Sequence, residues 1–372
     1  MKITKLELLH VKPRWLFLKV HTDSGLVGLG EPVVEGRART VAQAVRDMEG
    51  YLLGQDPRQI ERHWQVLYRS TFYRGGPVLT SALSGVEQAL WDILGQSLGV
   101  PVYQLLGGAV RDKVRVYAHA GGDTAEESAA SAKARAEEGF TAIKTGLAGP
   151  VRELDSKAYM DREVGRLYAM REALPDEVDL AVDFHGRVSP AMAVRLAKEL
   201  EDCGLLFIEE PVLPDNVEAL ARVARATSIP IATGERLFTR WGFRQVLEQG
   251  AAAVLQPDLS HAGGIMEVRK IAAMAEAYHV AVAPHNPLGP ISLAAGLQVD
   301  ACCPNFLAQE QVSLGQGYLT CPFTLEAGYI KLPEAPGLGI SLDEAALANQ
   351  FYEGDWETPR WFDAEDGAFR EW

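Results

Sequence analysis

Asp183-Phe184-His185-Gly186-Arg187, Phe207-Ile208-Glu209-Glu210-Pro211, Thr233-Gly234-Glu235-Arg236, Gln256-Pro257-Asp258, Ala283-Pro284-His285-Asn286 and Ala308-Gln309-Glu310-Gln311 punctuate the second half of this chain. Their acidic or imidazole residues fall at 183, 209, 235, 258, 285 and 310, at intervals of 26, 26, 23, 27 and 25 residues. A strand, a helix and two loops of about 2–6 residues fill such an interval. Most are preceded by a short apolar run: Leu180-Ala181-Val182, Leu205-Leu206-Phe207-Ile208, Ile229-Pro230-Ile231-Ala232, Ala253-Val254-Leu255 and Val280-Ala281-Val282-Ala283. Runs of this kind are what parallel strands buried on both faces look like. A polar residue closing each strand predicts six side chains converging at the C-terminal mouth of a (β/α) barrel, where barrel enzymes keep their chemistry.

The alternation begins earlier, with strands expected at 114–118 and 142–144, and continues to about residue 310. That makes seven strands, with Phe306-Leu307-Ala308 as the candidate eighth, joined by right-handed crossovers. The first part of the chain reads differently. Strands at 16–22 and 27–31 form a hairpin about Asp23-Ser24-Gly25, and helical periodicity follows at 41–53, 60–68 and from 82 to the Gly99-Val100-Pro101 stop. Sheet followed by helices marks a separate α+β unit. Gly28-x-Gly30 lacks the third glycine and the immediate helix of a nucleotide fingerprint. The tail is too short for its own core and is expected to pack against the first unit. The domains are therefore 1–113 (α+β), 114–320 (barrel) and 321–372 (C-terminal segment).

A net charge of −14 over 372 residues argues against nucleic acid, whose binding needs clustered Lys and Arg. Four cysteines without Cys-x-x-Cys pairing fit a reducing compartment. Neither a signal peptide nor an apolar run of membrane-spanning length is evident, so a cytoplasmic setting without membrane partners is expected.

Asp183, Glu209 and Glu235 bring three carboxylates to consecutive strand ends. Such a set suits a hard divalent cation, because Mg²⁺ takes oxygen ligands and leaves places for water or substrate. Without a cation, like charges so placed would repel. His185 lies two residues beyond Asp183 and, on an extended strand, would share its face. Asp258 closes the strand before that of His285, so it can hold the imidazole tautomer and raise its basicity. Glu310 ends the last strand and either donates to a developing oxyanion or pairs with a base. His261 is a candidate ligand contact. His10, His21, His63 and His119 lie outside the pattern and read as structural, and His279 belongs to the opposite barrel end.

This order of carboxylates and histidines, the Lys144 strand and the α+β unit resemble the enolase superfamily, mandelate racemase subgroup. The likeness extends along nearly the whole chain. It includes Asp183-Phe184-His185-Gly186-Arg187-Val188-Ser189, Gln256 through Ile265, Pro287-Leu288-Gly289-Pro290, Glu35-Gly36-Arg37-Ala38-Arg39-Thr40-Val41 and Phe72-Tyr73-Arg74-Gly75-Gly76-Pro77. The resemblance implies a modified (β/α)7β barrel of TIM type under an α+β capping domain. It implies one Mg²⁺ per subunit on Asp183, Glu209 and Glu235, His285 backed by Asp258 as base, His185 as acid and Glu310 as oxyanion stabiliser. Substrate contacts are expected at Lys144, Arg37, Tyr73 and His261, and the partners are a sugar-acid substrate and further copies of the chain.

One departure matters: the subgroup's Lys-x-Lys is reduced here to Lys144-Thr145-Gly146, which excludes a lysine base at 146 and weakens racemase chemistry. Removing a proton α to a carboxylate adds charge to an anion, and Mg²⁺ can neutralise that charge. A histidine base and a histidine acid on separate strands suit β-elimination of water. The activity expected is a hydro-lyase dehydrating an aldonate, via an enediolate, to a 2-keto-3-deoxy acid. The alternatives are dehydration of another acid sugar, epimerisation or racemisation of a hydroxy acid at C2, or a non-catalytic binding relative.

Overall fold

The computed structural model describes residues 1–352 and 356–371. It opens with an antiparallel sheet of β1 (Ile3–Val11), β2 (Trp15–Thr22) and β3 (Val27–Gly30), in that order. β1 has no counterpart in the strands expected from sequence. Trp15, Leu16, Phe17, Leu18 and Val20 of the central strand are all buried. The helices α1 (Ala38–Asp47), α2 (Glu49–Leu52), α3 (Ile60–Arg69) and α4 (Gly76–Leu98) follow. The single helix expected at 41–53 is thus two. Helix α4 lies directly against β3, and a Cβ at Gly28 or Gly30 would collide with the carbonyl of Ala89 or of Gly85. Close helix–sheet approach, not a nucleotide, accounts for this glycine pair.

The barrel strands are β4 (Lys113–His119), β5 (Ala142–Gly146), β6 (Asp179–Asp183), β7 (Leu205–Glu209), β8 (Ile231–Thr233), β9 (Val254–Leu255), β10 (Ala281–Val282) and β11 (Gln309–Glu310). From β4 to β10 each pairs in parallel with the next. Closure comes from β11 lying parallel to β4 and from a parallel bridge between Val282 and Phe306. The eighth strand therefore sits just after the expected 306–308 run, with Ala308 leading into it. Four of the helices between strands start on side-chain caps: Thr124, Ser156, Ser189 and Asn216 each accept from a backbone N–H of the first turn.

The tail touches both units. β12 (Leu325–Glu326) and β13 (Tyr329–Lys331) form a hairpin, and β13 pairs with barrel strand β4. Gly337 and Phe351 bridge to Pro101 and Val11 of the first unit. A last hairpin, β14 (Trp361–Phe362) with β15 (Phe369–Arg370), is held to the barrel where Arg152 meets Asp363 at 2.8 Å. Trp372 lies outside the described residues, as do 353–355. Among the described residues no helix is long and apolar enough to cross a membrane.

Candidate active site

Parallel strands send their C-terminal ends to one mouth, and the polar residues follow. Asp183, Glu209 and Glu310 are the last residues of β6, β7 and β11, while Glu235, Asp258 and His285 lie two or three residues past β8, β9 and β10. Asp183, Glu209 and Glu235 each present an oxygen within 4.8 Å of the others. Octahedral Mg²⁺ holds its oxygens at about 2.1 Å, so ligand oxygens stand about 3–4 Å apart, and this set needs little movement to fit. The electrostatics agree. Burial and the Asp183 charge push the Glu209 carboxyl well up. Burial also raises Glu235 to about 7, with His285 opposing and Asp183 adding. A cation held among them would offset that cost and favour their ionised forms.

Lys144, on β5, is buried beneath them. Its Nζ donates to both oxygens of Glu209 at 2.8 Å, lies 2.8 Å from Glu310 Oε1 and stands 3.8 Å from Asp183 Oδ2. Burial alone would discharge this lysine, but Glu209 and Glu310 hold its proton firmly. The side chain therefore serves as a fixed positive charge under the cluster. Glu310 also accepts from Asn286 N at 2.9 Å and meets His119 Nε2 at 2.7 Å. Burial would raise its carboxyl, yet Lys144, His285 and His119 together hold it well below the usual range. In this arrangement Glu310 is an ionised acceptor.

His285 and Asp258 form a pair. Nδ1 donates to Asp258 Oδ2 at 2.8 Å, which leaves Nε2 facing Glu235 Oε2 at 3.4 Å and Glu310 Oε2 at 3.9 Å. Burial would lower the His285 imidazole, but Glu310, Glu235 and Asp258 raise it well above the ordinary value. His185 is reached differently from the sequence expectation. The chain is no longer extended there: φ is 51° at His185 and 68° at Gly186. That turn folds the ring back onto its neighbour, so Nε2 lies 2.9 Å from Asp183 Oδ2, and His185 N donates to Asp183 Oδ1 at 2.7 Å. Burial would lower His185, but Asp183 outweighs it and the imidazole is raised. With three strands between them on either path round the barrel, β6 and β10 place the two imidazoles on opposite sides of the mouth.

A cavity of about 400 Å³ opens above, lined by His185, Glu235, His261 and His285 from the barrel and by Glu35 and Pro77 from the first unit, among others. His261 Nδ1 meets Ser81 Oγ at 2.9 Å, and its Nε2 lies 3.6 Å from Asp258 Oδ2. Two expected contacts are not brought here. Arg37 is exposed and donates to the carbonyl of its neighbour Gly36 at 2.7 Å. Tyr73 is 83% exposed and packs edge-on against Phe72. Neither position carries a periodic signal, so sequence could not aim them.

Two residues were missed. His119, read as structural, closes β4 and lines the cavity against Glu310. Extending the strand-end rule to the first barrel strand would have found it. Arg14 lies in the short connection between β1 and β2. It pairs with Glu35 at 2.8 Å, donates to the Pro287 carbonyl at 3.2 Å, stacks over the Trp356 ring at 4.7 Å and lines the same cavity.

A closed barrel that gathers three carboxylates and two imidazoles at its mouth, under an α+β unit, defines a class of enzyme, and this chain belongs to it: the enolase superfamily. Residues 10–107 match the mandelate racemase/muconate lactonizing enzyme N-terminal domain, and residues 127–346 match the enolase C-terminal domain-like family. Within that class the chain is 51% identical, over all of both chains, to a D-galactonate dehydratase of Ralstonia pickettii (strain 12J). It is 49% identical, again over full length, to a D-galactonate dehydratase of Cronobacter sakazakii (strain ATCC BAA-894). Among solved structures, a mandelate racemase/muconate lactonizing enzyme from Jannaschia sp. CCS1 superposes with a TM-score of 0.91 at 37% identity. That likeness covers 95% of this chain and 99% of the other.

Proposed function

We propose that this chain is a Mg²⁺-dependent dehydratase that converts D-galactonate to its 2-keto-3-deoxy acid. The observation that carries the reading is the pair of imidazoles on strands across the barrel from each other, His285 meeting Asp258 and His185 meeting Asp183 of the three-carboxylate cluster. Asp183, Glu209 and Glu235 would hold Mg²⁺, which supplies positive charge to a substrate carboxylate that must accept more negative charge. His285 Nε2 takes the proton from C2, and the electron pair moves into the carboxylate to give an enediolate. His185 then gives its proton to the C3 hydroxyl as the C–O bond breaks, and water leaves. The resulting enol takes a proton at C3 and becomes the ketone. Lys144 holds a positive charge near the same carboxylates throughout. One Mg²⁺ per subunit, a homo-oligomer and a cytoplasmic setting belong to the same reading.

The test is keto-acid formation from a panel of sugar acids with Mg²⁺ present. D-galactonate should give the fastest turnover. Exchange at C2 in D₂O without a keto acid would point to an epimerase, and neither product nor exchange from any sugar acid would end the proposal.

Metal binding has a readout apart from turnover. A ligand that binds only the folded state stabilises it by about 2.7 kcal/mol at a hundred times its Kd. Chelator-treated protein should therefore melt several degrees lower than protein given excess Mg²⁺. Glu209→Gln should shrink that difference and need far more Mg²⁺ to saturate. Identical melting curves with and without Mg²⁺, at any concentration, would argue against the site.

The cap wall is tested by specificity. Arg14→Ala and Glu35→Ala should change the ranking of sugar acids in the panel and keep C2 exchange on at least one of them. Arg37→Ala and Tyr73→Ala, away from the cavity, should leave the ranking alone. The reverse pattern would place substrate recognition on the exposed loops.

A further inference from the structure

Helix α4 reaches from the cap into the loops behind the Asp258–His285 pair, and it does so with polar side chains. Ser81, Ser84 and Gln88 are fully buried and, at spacings of three and four residues, share one helix face. Each ends on the loop that follows Asp258. Ser81 Oγ meets His261 Nδ1 at 2.9 Å, Gly263 N donates to Ser84 Oγ at 2.9 Å, and Gln88 Nε2 donates to the Leu259 carbonyl at 2.9 Å and to Ser260 Oγ at 3.2 Å. The other atom of the Gln88 amide, Oε1, accepts from Glu31 N at 2.9 Å. The buried Glu31 carboxyl in turn accepts from Gly289 N at 2.6 Å and Ser292 N at 2.9 Å. Those two N–H groups open the helix Pro290–Cys302, which directly follows the His285 loop.

The branches meet where Ser260 Oγ donates to Ser292 Oγ at 3.0 Å. From there one step reaches the pair itself: Ser260 N donates to Asp258 Oδ1 at 2.7 Å, while Asp258 Oδ2 accepts from His285. An apolar contact would let cap and barrel slide, whereas a satisfied buried network holds one arrangement. We propose that Gln88 is a positioning residue for the base: its side chain, shared between Glu31 and Ser260, lets the cap set the aim of the Asp258–His285 pair as well as cover it. This rests on the reading of His285 as the base.

Gln88→Met keeps length and volume and removes every hydrogen bond of the side chain. Dehydration kcat should fall about 10- to 100-fold, the scale of a displacement of about 1 Å, with KM within about threefold. C2 exchange should fall by the same factor, because His285 acts in both. A purely structural role would lower the melting temperature and leave kcat intact well below it, which would overturn the proposal. Should Gln88→Met fail to fold, Ser260→Ala is the second variant. It removes the hydroxyl and keeps the backbone N–H on Asp258, and it should lose activity in the same direction by a smaller factor. In the double variant the loss should not exceed that of Gln88→Met alone, since both act on one path, and multiplied losses would overturn the route through Ser260. A readout without substrate completes the test. The His285 Nδ1 proton, bonded to Asp258, should give a far-downfield resonance in ¹⁵N-histidine-labelled protein that shifts or vanishes in both variants. If wild-type protein dehydrates no sugar acid, the proposed function fails while this resonance still decides the positioning. An unchanged resonance in folded Gln88→Met would overturn it.

Discussion

His285→Asn is expected to lose both C2 proton exchange and dehydration, each by about 10²–10⁴-fold, the usual worth of a positioned general base. The reason is order. Proton abstraction precedes departure of the hydroxyl, so no later step proceeds without it. Nδ1 is committed to Asp258 at 2.8 Å, so Nε2 is the atom that carries the proton. Asparagine can keep a hydrogen bond to Asp258 and supplies no base. Asp258→Asn gives the graded version. Asp258 is one of the groups that raise the His285 imidazole against burial, so its removal lowers the base's pKa. A base must be neutral to act, so the acidic limb of kcat/KM should move to lower pH while the plateau falls. An Asp258→Asn profile with an unmoved limb would separate Asp258 from the base.

His185→Asn is expected to split the two reactions. Dehydration should fall by about 10²–10⁴-fold, while C2 exchange in D₂O stays measurable, because His285 and its partner are untouched. From sequence, His185 lacked an acidic partner. The structure supplies one, Asp183 Oδ2 at 2.9 Å, and that carboxylate outweighs burial and raises the imidazole, the direction that favours the protonated form an acid needs. Since β6 and β10 lie across the barrel from each other, acid and base address opposite faces of the substrate and the elimination should be anti. The roles are reversed if His285→Asn retains exchange and His185→Asn abolishes it.

What the sequence by itself determined is whatever repeats along a strand. Apolar runs set the strands, the βα interval set their succession, and a polar residue at each C-terminal end had one place to go. Asp183, Glu209, Glu235, Asp258, His285 and Glu310 were readable for that reason, and His119 would have been under the same rule. Pairing across adjacent strands also followed, which is why Asp258 could be joined to His285.

Only the tertiary structure decided what comes from elsewhere in the chain. His185 turns back through a positive φ, an effect of the loop and not of strand period. Arg14 reaches Pro287 and Trp356 across hundreds of residues, and Gln88 reaches Leu259 across 171. The tail divides its contacts between both units. Arg37 and Tyr73, chosen because their motifs resemble a family, do not line the cavity at the barrel mouth. A strand end is fixed by a local repeat of hydrophobicity, which sequence displays. A contact between cap and barrel is fixed by the packing of two surfaces whose residues have no spacing in common, so it exists only once both have folded and met.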